Sequence, residues 1–393
     1  LTEGFENLNL KIFALIFALT AVCIITPFTW ALPAYVTNFA YALMQVAPFI
    51  FLALLSYMSE RYPGLKIFAT LLLLVIILLM AVVSLSSGIL PLLPSGFFES
   101  LESGGGELSV NTNVMDSTEM AQIVPGIAFL LLSAFAAVLL SLAGQIRAFR
   151  VFLSRYIPID PDSFVHKTAL TLILAITLLS FVPLLVTGIA PFLSPAFLDS
   201  SVSSILSEGI ISQDIFSLLW VIAASFIAAG LWINRSLPEV LERLGLNRIS
   251  KKEFLYAVGL GAVMVGVFLV IDNGITAIWE FFGWTVTDSD SVNLLFAAYL
   301  TPAAAFIGAI SAGFSEEIAV RGLLQPRFGI LIPSVLFASL HAFQYNWDSV
   351  LAVFIAGIVF ALIRRYYCTT VSAITHTVYD LILFCALILG LGI

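Results

Sequence analysis

Charge is what this sequence most lacks. Only 10% of its 393 residues are Asp, Glu, Lys or Arg, against 61% hydrophobic, whereas soluble domains carry about 25% charged residues. That is too little charge to cover a water-facing surface, and too much apolar side chain for a disordered chain. Lysine and arginine number 16 and form no patch interleaved with aromatics, so no nucleic-acid partner is expected. Cysteine is scarce. Cys23, Cys368 and Cys385 lie in or beside apolar runs, with no Cys-x-x-Cys pair and no Cys/His cluster, so they read as small buried hydrophobes. The flanking charges of a coiled coil are missing, and so is the short alternation of a membrane β-barrel. What is present is a succession of near-continuous apolar runs of about twenty residues, the length of a membrane-crossing helix. The fold class is therefore all-α, a multi-spanning transmembrane helical bundle.

Eleven spans are read, at about 12–36, 38–58, 65–94, 121–146, 168–193, 214–234, 254–279, 293–320, 331–346, 348–366 and 370–392. The first follows Lys11 as a leader would, but it is taken as a span; the first residue is Leu rather than Met, and whether the true N-terminus lies upstream is left open. With the N-terminus inside and the spans alternating, all 16 basic residues fall on inside segments. The outside segments hold only acids, among them Glu99, Glu102, Glu107, Asp199, Glu280 and Asp348. That separation is the positive-inside pattern, and it implies a cytoplasmic N-terminus, an outside C-terminus and a multi-pass protein of the cell membrane. The outside loop 95–120 is rich in Ser, Gly and Glu.

Segment 235–253 carries Leu237, Val240, Leu241 and Leu244 at helical spacing between charges, with Pro238 suited to a first turn. It reads as an amphipathic cytoplasmic linker lying on the membrane surface. It divides the chain into an N-terminal membrane region of about six spans (1–234) and a C-terminal core of about five (254–393). No internal repeat supports a transporter built from inverted halves.

The two regions differ in what their spans contain. Before the linker the spans hold almost no ionisable groups. After it, Asp272, Glu316, Glu317, Arg321, His341, His376 and Asp380 lie within or at the edges of spans. Charged groups at membrane depth cost at least ~2.5–3.5 kcal/mol each, so they pair, line water or do chemistry. Glu317 and Arg321 are four apart in the favourable order for an ion pair, which is also the plain structural explanation of both. Glu316 is rotated about 100° from Glu317 and is free for another role. Phe337 and His341 share a face, as do His376 and Asp380, where a carboxylate could fix an imidazole tautomer. No His-Glu-x-x-His or Gly-x-Ser-x-Gly motif accompanies them. The side chains of Glu316, His341 and His376 are expected around one cavity of the size of a water or a metal, with Glu317 turned away toward Arg321.

In their order and spacing, Glu316-Glu317-x-x-x-Arg321, Phe337-x-x-x-His341 and His376-x-x-x-Asp380 resemble the CPBP (Abi) family of intramembrane proteases, which includes the type II CAAX prenyl endopeptidases and bacteriocin-processing proteins. The resemblance covers about residues 254–393. It implies a metal-independent glutamic endopeptidase with no cofactor. In that scheme Glu316 and His341 activate a water, His376 and Asp380 stabilise the oxyanion, and Glu317, Arg321 and Phe337 support them. An ionised Asp380 has no proton to donate, so it either carries one or orients His376. A metal held by Glu316, His341 and His376 is the alternative to a bare water. The implied partners are membrane lipids and a membrane-embedded or lipid-modified peptide substrate. The large region 1–234 carries a second reading, a non-catalytic structural or assembly subunit that binds partner subunits through those residues.

The orientation is directly testable. In a cysteine-free background, Ser103→Cys is expected to react with a membrane-impermeant maleimide on intact cells. Lys251→Cys is expected to react only after permeabilisation. The opposite pattern would invert the topology.

Overall fold

The computed structural model describes residues 34–94, 117–198 and 209–391, with a few positions between 14 and 21. The expected first span and most of loop 95–120 lie outside the described residues. Among those described, the chain is all-helical. The principal helices are α1 (Ala34–Arg61), α2 (Leu65–Ile89), α3 (Ser117–Ser141), α4 (Phe164–Thr187), α5 (Ile210–Ala228), α6 (Leu237–Leu244), α7 (Lys251–Phe281), α8 (Pro302–Glu316), α9 (Leu331–Leu340), α10 (Trp347–Tyr366) and α11 (Thr369–Ile388). A π-helical stretch, Glu317–Leu324, continues α8.

Helix starts are encoded locally. Ser236/Glu239 and Ser250/Glu253 form capping boxes at α6 and α7, each satisfying backbone N–H groups that would otherwise lack partners. Thr301 caps α8 and Pro302 opens it. The Glu60 carboxylate at the end of α1 accepts bonds from the Ser163 hydroxyl and the N–H groups of Phe164 and Val165, and so ties α1 to the start of α4. Gly188 and Gly245 end α4 and α6 with φ of 72° and 68°, a conformation that favours glycine.

Nine described helices are long and apolar enough to cross a membrane. The protein is thus a multi-pass membrane protein. α2 shows why: Leu73, Ile76, Ile77 and Ala81 are buried on one side, yet Ile67, Leu71, Leu74 and Leu78 are exposed on the other. Apolar residues on both faces suit a helix with protein on one side and lipid on the other. In the expected span at 331–346 the structure has a shorter apolar helix, Leu331–Phe343. Its thirteen residues rise about 20 Å, short of the ~30 Å hydrocarbon layer. Gly329 at φ 71° breaks the chain before it, and the polar Gln344-Tyr345-Asn346 follows it.

α2, α3 and α4 pack together, with α1 against α2, α4 and α5. α8 packs on α11 and α5, α7 on α11 and α10, and α9 between α10 and α4. α5 and α9 therefore join the two groups of helices. One end of the bundle is basic. Lys66, Arg147, Arg150 and Lys167 gather there around Phe164 and Asp162. Ile157 and Ile159 beside them share an apolar cluster with Phe328 and Ile332, so the start of α9 lies at that end. At the other end Asn346 accepts from the Ala190 N–H and donates to the Val286 carbonyl, and Asp348 accepts from Thr287. Helix α6 docks by burying Val240 and Leu244 with Ile318, while Arg243 donates to the carbonyls of Gly322 and Leu323. Burial lowers the Arg243 pKa to about 10.

Small residues let the helices meet. A Cβ on Gly313 would collide with the Thr377 side chain and lie 2.7 Å from the Thr377 nitrogen, so α8 and α11 touch nearly backbone to backbone. Gly313→Leu is expected to cost about 1–3 kcal/mol through overpacking. Gly266→Ala, with nothing within 4 Å of the added methyl, is expected to leave thermal stability unchanged or slightly raised. Equal stability of the two variants would refute this close contact.

Candidate active site

The site grows from the junction of α8 and its π-helical continuation. Glu316 is the last residue of α8, and Glu317 opens the π stretch. A π stretch carries more residues per turn than an α-helix, so side chains beyond it no longer follow α-helical phase. Glu317 and Arg321 are both fully buried, with Arg321 Nη1 3.3 Å from Glu317 Oε1. Arg321 Nη2 donates to the Gly357 carbonyl at 3.2 Å. Its guanidinium lies 4.2 Å over Phe337 and 5.7 Å from Phe360. Nε and Nη1 make no hydrogen bond of good geometry, so the pair is held by charge and by the ring faces.

Glu317 does not turn away from the histidines. Its Oε1 is 3.3 Å from His376 Nδ1, and its Oε2 accepts the Ser372 hydroxyl at 2.6 Å. The expectation that helical phase would separate it from the cavity fails because the π stretch and α11 bring His376 to the same carboxylate. On its other nitrogen, His376 Nε2 is 3.4 Å from Asp380 Oδ2 and 4.0 Å from Glu316 Oε2. Three carboxylates thus surround one imidazole. Glu317 and His376 are buried, whereas the Glu316 side chain is 33% exposed. Phe360 stacks on His376 with centroids 4.4 Å apart.

His341 approaches from α9. Its Nδ1 is 2.9 Å from the Phe337 carbonyl. With a proton on Nδ1 to donate there, Nε2 is left as the acceptor. The ring lies 4.8 Å from Phe337 and stacks on Tyr345 at 6.2 Å. Glu316 and His341 make no direct contact within 4 Å, but both act on Tyr345. Burial raises the pKa of its phenol, and the charges of Asp380 and Glu316 add to that. Tyr299, stacked on Phe384 and bonded to Asp214, is raised in the same way by burial, then by Asp214 and Asp380. Among the described residues, no three His, Cys, Asp or Glu side chains form a set able to hold a metal ion. Glu316, His341 and His376 as placed are thus not among such sets.

Phe360, Ser372, Gly357 and Tyr345 were not anticipated from the sequence. Ser372 could have been found, since it precedes His376 by one helical turn. Phe360 carries no local signal among 33 phenylalanines. Gly357 is explained only by the structure: a Cβ there would lie 3.2 Å from Phe337 and 3.4 Å from Arg321 Nη2.

Residues 298–382 match the family model described as type II CAAX prenyl endopeptidase Rce1-like. The matched segment is less than a quarter of the chain, and it contains Glu316, Glu317, Arg321, Phe337, His341, His376 and Asp380. It supports assignment of the C-terminal region to the CPBP/CAAX protease family. Comparison with curated proteins and with solved structures finds no match.

The buried pair makes a sharp stability prediction. Arg321→Leu leaves the Glu317 carboxylate without its cation and is expected to cost about 3–5 kcal/mol. Adding Glu317→Gln to that variant is expected to recover part of the loss. A double-mutant cycle on unfolding in detergent measures the coupling, and additive effects would show that the pair does not stabilise the fold.

Proposed function

We propose that the chain is a glutamate-dependent, metal-independent intramembrane endopeptidase of CAAX-protease type, acting on a membrane-associated or lipid-modified peptide. The observation that carries this reading is the gathering of Glu316 and Asp380 at one nitrogen of His376 while Glu317 holds the other. A single structural ion pair, Glu317 with Arg321, would need neither the second glutamate nor the histidine.

In the proposed reaction a water sits between Glu316 and the free Nε2 of His341. Glu316 takes one proton as the oxygen attacks the carbonyl carbon of the scissile bond, and His341 accepts a hydrogen bond from the other. The carbonyl π-electrons move to oxygen, and the oxyanion accepts a hydrogen bond from the His376 Nε2–H, replacing Asp380 as acceptor. Asp380 is then a positioning group that holds the imidazole between turnovers, and Glu317 fixes the ring from behind. Collapse breaks the C–N bond, and the proton on Glu316 passes to the departing amine. A preorganised donor of this kind is typically worth about 10²–10³ in rate.

Depth supports a membrane-level substrate. By helical rise, His376 lies about 10 Å and Glu316 about 18 Å from the basic ends of their helices. With the basic end cytoplasmic, as the positive-inside rule favours, the site stands near mid-bilayer and toward the cytoplasmic half. The domain reading places residues 235–253 as the link between an N-terminal region of unassigned role and this core.

The test is cleavage in proteoliposomes of a prenylated CAAX peptide and its unprenylated counterpart. Glu316→Gln and His341→Ala are each expected to lower kcat/KM by about 10²–10⁴. Chelators are expected to have no effect. Preference for the prenylated peptide would assign the lipid-modified class. Cleavage by Glu316→Gln at the parent rate would end the mechanism.

A further inference from the structure

At the basic end, away from the histidines, the turn between α1 and α2 meets the start of α4. An open pocket of about 290 Å³ lies there, lined by Lys66, Ile67, Thr70, Leu71, Phe164 and Lys167. Both ammonium groups address the same ring. Lys167 Nζ is 4.4 Å and Lys66 Nζ 5.9 Å from the Phe164 centroid. Two like charges beside one ring repel, and that repulsion calls for a counter-anion. Among the described residues none is supplied within 4 Å. The nearby acids are already engaged: Glu60 caps the start of α4, and Asp162 holds Arg147. Arg150, whose charge also acts on Lys167, is bonded to the backbone carbonyls of Pro161 and Gly144 and brings no acid with it.

The other half of the pocket is apolar. Ile67 and Leu71 line it, and they begin an exposed stripe that continues up α2 through Leu74 and Leu78. Residues at this spacing lie on one face of the helix. A free anion would use the lysines and leave the stripe idle. A phospholipid uses both, with its phosphate between the ammonium groups and an acyl chain along the stripe. We propose that this pocket is a binding site for an anionic phospholipid of the leaflet at the basic end.

The experiment is native mass spectrometry of the full chain, extracted with a defined mixture of phosphatidylglycerol and phosphatidylcholine. The parent protein is expected to retain phosphatidylglycerol in preference. Lys66→Gln, on the exposed rim, is expected to lower that preference about fivefold, and Lys66→Gln/Lys167→Gln by more. Lys251→Gln/Lys252→Gln, which removes two charges from the same end but outside the pocket, is expected to keep it. Excess inorganic phosphate is expected not to displace the lipid. Equal losses in the two double variants would show diffuse charge attraction and overturn the site. Displacement by inorganic phosphate would overturn the lipid assignment. If the Lys66/Lys167 double variant fails to fold, the single Lys66 variant decides, and an undiminished preference there overturns the proposal.

Discussion

The C-terminal bundle depends on neutralising one arginine far from water. Arg321 reaches its place because Gly357 leaves room for it and offers a carbonyl, because Phe337 and Phe360 give it ring faces, and because Glu317 supplies the opposite charge. These contacts come from three elements, so satisfying the arginine sets the positions of the π stretch after α8, of α9 and of α10 together. Glu317 then extends the same charge balance to α11 through Ser372 and His376. The histidine is placed by a requirement of stability, whatever chemistry it performs. The two neighbouring glutamates are thereby given different roles. Glu317 is consumed by neutralisation, while Glu316 remains partly exposed.

The π-helical stretch is the local device that permits this. An unbroken α-helix from Pro302 onward would keep Glu316, Glu317 and Arg321 in fixed phase. The π stretch leaves carbonyls short of their usual partners, and Arg243 from α6 bonds two of them, at Gly322 and Leu323. Helix α6 therefore sits beneath the irregular part of a spanning helix, buried through Val240 and Leu244. Backbone irregularity at membrane depth is tolerated where protein covers it, and α6 is part of that cover.

Much of the architecture was legible because lipid imposes a simple code. Long apolar runs had to be helices, and nine described helices are of spanning length. Four of the basic residues, Lys66, Arg147, Arg150 and Lys167, gather at one end of the bundle. The capping boxes at Ser236 and Ser250 are local too, although the sequence reading marks only Pro238 there. Where the code failed, the cause was non-local. The run 331–346 has the composition of a span, but its helix is short, preceded by Gly329 and packed against α4 and α10. In segment 235–253, read as amphipathic, spacing does not tell that Val240 and Leu244 bury themselves with Ile318 of the π stretch. Spacing alone paired Glu317 with Arg321, but nothing in spacing showed that Ser372, Phe360 and Gly357 from distant helices would complete the same environment.

The place where α9 stops decides what His341 meets. The ring lies only three to five residues before the polar Gln344-Tyr345-Asn346, roughly 5–8 Å along the chain. A histidine halfway along a full-length span would have only apolar turns of its own helix on either side. Here α9 ends one residue before the ring, and the segment that follows is tied by Asn346 to Ala190 and Val286. The imidazole therefore stands where the chain passes from apolar helix to a loop held by hydrogen bonds.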